Sequence, residues 1–281
     1  MDESLKKRIL NSAVVMRKNV LKMTYNAGIG GAHIGGGLSL IEIMATLYIG
    51  VLKYDLNNMQ SEYRDRLIFS KGHGTLALYT AMQQVGIISS EDLNLYKKDN
   101  SFLSAHPSIN ASIGIEYSSG SLGQGLSLAV GTALALKRKN NDKSKVYVIL
   151  GDGECNEGAI WEAAQSASHF KCNNIVAIVD CNGIQYDGFV NDIMNQTPFG
   201  MKWEAFGWEV RIIDGHNIEE IYNAIKGNNE KPLVVLAKTI KGKGISFMEN
   251  NPIWHNHNLS YEQYEIAINE LKELNNEYNQ V

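Results

Sequence analysis

A chain of 281 residues with 44% hydrophobic content is long enough to close a substantial core. Its formal net charge of −4, from 26 basic against 30 acidic residues, supplies no field that would collect DNA, RNA or an anionic membrane. The opening Met1-Asp2-Glu3-Ser4-Leu5-Lys6-Lys7-Arg8 carries charge where a signal peptide needs its apolar core, and no later segment has the roughly 18 uninterrupted apolar residues of a membrane span, so the expected location is the cytoplasm.

From about Ser4 to Met23, the placing of Leu5, Ile9, Val14, Val20 and Leu21 near helical spacing predicts an amphipathic helix. The glycine-rich stretch from Gly28 to Gly37 is expected to be irregular, and an apolar helix is expected from Leu38 to Leu52. From Lys145 onward the pattern changes. Short apolar runs at Val146 to Leu150, Ile175 to Val179, Val210 to Ile213 and Leu233 to Ala237 alternate with helical segments near Glu157 to Phe170 and Ile218 to Ile225. Runs that are apolar on both faces require a sheet covered on both sides, and right-handed crossovers are the usual connection. The fold class expected is therefore α/β, a parallel sheet flanked by helices. A polar C-terminal helix containing Glu270 to Asn279 follows; with no Pro/Ser-rich linker and no internal repeat, a single domain over 1–281 is expected.

Cys155, Cys172 and Cys181 are odd in number, and their spacings match neither a zinc site nor a thioredoxin-like motif. Three reduced thiols are expected.

The strongest local signal is Gly151-Asp152-Gly153 directly after the run Val146 to Leu150, with Asn182 directly after the next strand. In a parallel βαβ unit both loops open on the same edge of the sheet, where ligands of open α/β sheets collect. The Asp152 carboxylate and Asn182 carboxamide can then converge on a hard cation, with Ile184 as the natural backbone carbonyl donor and room left for phosphate oxygens and water. Gly153 would let backbone approach a phosphate, and a helix beginning near Glu157 would offer its free N–H groups and positive dipole end. The plainer alternative makes Gly-Asp-Gly and Asn182-Gly183 ordinary turns.

Gly151-Asp152-Gly153 through Asn182 resembles the thiamin diphosphate signature, and the flanking blocks resemble transketolase. Ser70-Lys71-Gly72-His73-Gly74, His106-Pro107, Ser119-Gly120-Ser121-Leu122-Gly123-Gln124-Gly125, Glu157-Gly158 and Asp214-Gly215-His216 stand in that family's order across most of the chain. The resemblance implies a thiamin diphosphate-binding fold of the diphosphate-binding type, holding thiamin diphosphate with Mg2+, for which Ca2+ or Mn2+ can substitute. It implies that His33, His73, His106 and His255 face the substrate as catalytic groups. His73, Gly120, Leu122, Gly151, Asp152, Gly153, Glu157, Asn182 and His255 would contact the cofactor, and Asp152, Asn182 and Ile184 the metal. Ser121 stands where some members carry proline, and the backbone contact there survives that change. Trp254-His255 aligns best with the last histidine, although His257 is the competing choice. Glu157 resembles an acid lying towards the subunit interface; a dipole-favoured acid at a helix start is the alternative. His169 reads as structural, the role of His216 does not follow from the sequence, and Trp161, Trp203 and Trp208 read as core.

In that family the glutamate that activates the cofactor comes from a pyrimidine-binding domain, which is not expected within these 281 residues. The expectation is a separate N-terminal subunit working with a C-terminal-type partner, two of each, to move a two-carbon ketol unit between sugar phosphates as in pentose phosphate metabolism. The alternatives are modified sugars, another thiamin-dependent transfer, and a non-catalytic cofactor-binding subunit.

Overall fold

Side chains along the run from Val146 to Leu150 alternate between two buried faces, and this period of two organises the structure. Val146, Val148 and Leu150 enter one apolar cluster, Tyr147 and Ile149 another. The same division recurs in Ile175 to Val179 and Leu233 to Ala237, so each strand is covered on both sides. The computed structural model describes residues 1–278; Asn279 of the expected C-terminal helix lies outside them.

In chain order the strands are β1 (Arg66–Phe69), β2 (Val146–Gly151), β3 (Ile175–Cys181), β4 (Ile184–Gln185), β5 (Gly188–Phe189), β6 (Glu209–Asp214) and β7 (Leu233–Lys238). Five of them form a sheet in the order β1-β2-β3-β7-β6, with every pairing parallel. The sheet flanked by helices is the architecture expected. The strand β1 was not legible beforehand. It is four residues long and follows Arg64-Asp65, charged residues that are themselves buried.

The helices are α1 (Glu3–Asn26), α2 (Ile34–Leu38), α3 (Ile41–Thr46), α4 (Thr75–Gln84), α5 (Ser90–Leu93), α6 (Gly125–Arg138), α7 (Gly158–His169), α8 (Val190–Ile193), α9 (Phe199–Ala205), α10 (Ile218–Ile225) and α11 (Tyr261–Tyr278). Asp2 caps α1 by accepting the Leu5 N–H at 2.8 Å, and Ile9, Ala13, Met16, Val20 and Met23 form its buried stripe. With α3, α4 and α10 this helix covers one face of the sheet, while α6, α7 and the indoles of Trp203 and Trp208 cover the other. Among the described residues no helix is long and apolar enough to cross a membrane.

Two local expectations are corrected. Gly35, Gly36 and Gly37 are helical, within α2, and the single helix expected from Leu38 to Leu52 is α3 followed by a π-turn at Leu47–Val51. Packing overrides glycine's poor helix propensity here: a Cβ on Gly35 would stand 2.7 Å from the Trp254 carbonyl oxygen, and one on Gly36 3.1 Å from the His73 ring. These glycines let α2 press directly against the two segments that carry His73 and His255.

Candidate active site

Parallel pairing puts the ends of β1, β2, β3 and β7 on one edge of the sheet, and the polar residues that follow each strand gather there. Gly151 pairs with Asp180 in register, and the Gly183 N–H donates to Asp152 Oδ2 at 2.7 Å. The loops after β2 and β3 are thereby tied together at Asp152 and at Gly183, the neighbour of Asn182. Asp152 and Asn182 are the two residues singled out from the sequence. Both line a cavity of ≈ 360 Å³, together with Lys71, His73, Leu122, Gly151, Gly153, Glu157, Ile184 and His255. That volume falls within the range of small-molecule sites.

The cavity floor is buried and densely hydrogen-bonded. Asp152 is 8% exposed and accepts from the Gly153 and Gly183 amides; burial, then the neighbouring Asp180, raises its pKa from the ordinary aspartate value. Asn182 donates through Nδ2 to Asp180 Oδ2 at 3.0 Å, which turns its amide oxygen the other way, where it accepts the Ile184 N–H at 3.1 Å. The orientation of that carboxamide is therefore set by Asp180.

Asp180 was missed in the sequence, read only as the end of a strand. Fully buried, it accepts from Ser39, Lys71, Asn182 and Thr239. Burial alone would raise its pKa, but the Lys71 ammonium and these hydrogen bonds hold it below the ordinary value. Glu154 was missed as well: at 3% exposure it binds the Ser70 hydroxyl and the Gly123 and Gly151 amides, joining three of the family blocks. Burial pushes its carboxyl up. Lys241 is the third. Its Nζ lies 2.8 Å from both the Ile184 carbonyl oxygen and His255 Nδ1, and burial, followed by the charge of Lys71, brings its pKa down to about 7.

The histidines assemble as a group. Ring centroids stand 5.7 Å apart for His33 and His73, 5.3 Å for His33 and His106, 5.6 Å for His33 and His255, and 5.1 Å for His73 and His255. His73 and His255 line the cavity, with His33 and His106 beside them. Burial comes first among the causes that lower all four pKa values, with neighbouring lysines or histidines adding for His33, His73 and His255. His33 falls to about 4 and His255 to about 3, so both rings are neutral at pH 7. His257 is turned elsewhere: its ring packs on Trp254 at 4.8 Å, and its backbone pairs with Ala32. Geometry thus favours His255 over His257.

Other expected residues take more peripheral places. Gly120 is exposed and absent from the cavity wall, beside His106, whereas Leu122 does line it. Glu157 is exposed at the N-terminus of α7 and makes no capping hydrogen bond through its side chain. His169 is exposed at the end of α7. Cys155, Cys172 and Cys181 are free.

A cavity at the carboxyl edge of an α/β sheet, with buried polar groups at its floor and four neutral histidines in or beside its wall, is the candidate site of an enzyme that binds a small molecule. The chain belongs to the transketolase family, matching over residues 10–273 the family described as "Transketolase, thiamine diphosphate binding domain". It is 41% identical to the 6-deoxy-6-sulfo-D-fructose transketolase subunit SqwG of Clostridium sp. (strain MSTE9), over 93% of this chain and 95% of that protein. It is 40% identical to an apulose-4-phosphate transketolase subunit of Actinobacillus succinogenes, with the same coverage. Human transketolase is 33% identical over 96% of this chain but only 43% of its own length. The crystal structure of transketolase from Campylobacter jejuni superposes with a TM-score of 0.85 at 31% identity, covering 97% of this chain and 43% of that one. The chain therefore spans less than half the length of these longer transketolases.

Proposed function

We propose that this chain is the cofactor-binding subunit of a two-subunit transketolase-type enzyme that moves a two-carbon ketol unit from a ketose to an aldose. The observation that carries this reading is the convergence of His33, His73, His106 and His255 beside a cavity holding Asp152 and Asn182.

The donor set fits thiamin diphosphate and a divalent cation. Asp152, Asn182 and the Ile184 carbonyl offer hard oxygen donors on adjoining loops, the set Mg2+ takes, with Ca2+ or Mn2+ as substitutes. Among the described residues no group of three or more His, Cys, Asp or Glu could hold a metal ion, so phosphate oxygens and water would have to complete the shell. Lys71 and Lys241 add positive charge beside that position, and Leu122, Ile193 and Met194 form an apolar wall for the cofactor's rings. When bound, the cofactor supplies a nucleophilic carbon and an electron sink. The chain's own residues orient and exchange protons. A neutral imidazole offers one donor and one acceptor, so the histidines can hold sugar hydroxyls and pass a proton to or from the reacting oxygen, each worth ~10²–10⁴-fold as an acid or base.

The partner proposed is a C-terminal-type subunit, with two of each in an α2β2 assembly; the open side of the cavity supports the partner. Tyr186, Ile193 and Met194 line it while 71%, 44% and 61% exposed, an apolar rim suited to a protein surface. Relatives matched over 95% of their length are themselves called subunits.

A modified sugar is favoured as substrate over the pentose phosphates, since the proteins whose names specify sulfofructose and apulose phosphate are more similar than human transketolase. The test is ketol transfer by this chain alone and with a C-terminal-type subunit, with Mg2+ and thiamin diphosphate, from 6-deoxy-6-sulfofructose, apulose 4-phosphate and xylulose 5-phosphate. Turnover only in the mixture, fastest with a modified sugar, is the expected outcome. Turnover by this chain alone would refute the partner requirement, and a preference for xylulose 5-phosphate would refute the substrate.

A further inference from the structure

The Asp214-Gly215-His216 turn ends β6 outside the cavity, yet its contacts lead into it. Asp214 Oδ1 accepts the His216 N–H at 2.8 Å, and Gly215 N–H donates to the Lys238 carbonyl at 2.7 Å, docking the turn onto the end of β7. A Cβ at Gly215 would stand 3.0 Å from that same carbonyl oxygen, so only glycine lets the turn approach so closely. The docked turn delivers the His216 ring to the segment that follows β7.

His216 Nε2 accepts the Ile240 N–H at 2.9 Å. A ring nitrogen that accepts carries no proton, so in the neutral ring the proton sits on Nδ1 and is donated to Glu42 Oε2 at 3.0 Å. Glu42 is 5% exposed and also pairs with Arg17, whose Nε donates to the Lys243 carbonyl at 3.3 Å. One chain of contacts, Arg17 to Glu42 to His216, thus grips the segment on both sides of Lys241. Lys241 Nζ, only 1% exposed, donates to the Ile184 carbonyl oxygen, and in its ammonium form it cannot accept; beside the ammonium, His255 Nδ1 is the acceptor. The remaining proton of the neutral His255 ring then lies on Nε2.

We propose that His216 is a positioning residue for the active site: by holding the Ile240 amide it sets Lys241 against His255, and so fixes His255 as the tautomer that presents an Nε2 donor. The proposal rests on the reading of His255 as an active-site group. Its primary readout, however, requires neither cofactor nor turnover. Partners of this kind, one shell removed from the reacting groups, orient the groups they touch, and their loss in metal sites costs roughly 10–100-fold.

The test is the imidazole 15N spectrum of the full chain, compared among wild type, His216→Phe, His216→Asn and His216→Gln. Phe removes both contacts. Asn is too short to reach Ile240 but keeps a polar group near Glu42, so it carries the test if the Phe variant fails to fold. Gln places a carboxamide oxygen near the Nε2 position and restores the acceptor. Below pH 7, where Lys241 is the ammonium while His255, at about 3, is still neutral, a single Nε2–H tautomer at His255 is expected in wild type and in His216→Gln, with a mixture in the Asn and Phe variants. Ketol transfer by the complex should follow, falling roughly 10-fold in His216→Asn and recovering in His216→Gln. An unchanged His255 pattern in the folded Asn or Phe variant would overturn the proposal. Loss of the single tautomer with ketol transfer unaltered would uphold the positioning contact and count against the catalytic reading of His255, which separates the two failures.

Discussion

Burial decides the charge of the cavity histidines, and that has a consequence for stability. His33 titrates near 6.5 when unfolded and at about 4 in the folded chain. Below pH 6.5 the unfolded chain takes up a proton that the folded chain refuses, so stability present above that pH is lost as pH falls towards 4. Urea midpoints measured from pH 8 to 4 should therefore decline through this window, and His33→Gln should flatten the decline. An unaltered slope in the variant would show that His33 is not held neutral by its surroundings. The Lys71–Asp180 pair makes a second residue-scale prediction. Lys71→Met leaves the Asp180 charge buried without its cation and should cost about 3–5 kcal/mol in denaturant unfolding, whereas Lys71→Met with Asp180→Asn should cost less than the single change. A strictly additive loss would contradict the coupling. At this scale the sequence was only partly legible. Asp152, Asn182 and most of the histidines stood in recognisable blocks; Lys71 stood in one as well, but nothing local gives it a role, because its partner Asp180 is 109 residues away. Lys241 and Glu154 were hidden for the same reason, because their burial depends on distant partners.

Elements were legible where their pattern is local. The runs in β2, β3 and β7 are apolar on both faces, and the sheet completes what that pattern demands. β1 escaped notice because four residues carry too little periodicity to separate a strand from a loop. α2 escaped because its three glycines argue against a helix; the reason for it is tertiary, the close approach of the Trp254 carbonyl and the His73 ring. Gly35→Ala should therefore destabilise the chain by about 1–3 kcal/mol despite alanine's better helix propensity, since the new methyl group has no room beside backbone. Equal or greater stability in thermal unfolding would mean that α2 can shift away from the segment bearing His255.

For the whole molecule, the sheet order puts four strand ends behind one cavity, and the histidines arrive from segments far apart in the chain. The apolar rim at Tyr186, Ile193 and Met194 leaves that cavity open on the side where a partner would close it. The central claim is that Asp152 and Asn182 mark the cation end of a thiamin diphosphate site. It is tested most directly by thermal unfolding of the full chain with thiamin diphosphate, in the presence and absence of Mg2+, for wild type and Asp152→Ala. At one hundred times the dissociation constant the ligand should add about 2.7 kcal/mol to wild type, only when Mg2+ is present, and nothing to the variant. Equal stabilisation of the variant, or none of the wild type at any concentration, would contradict the account.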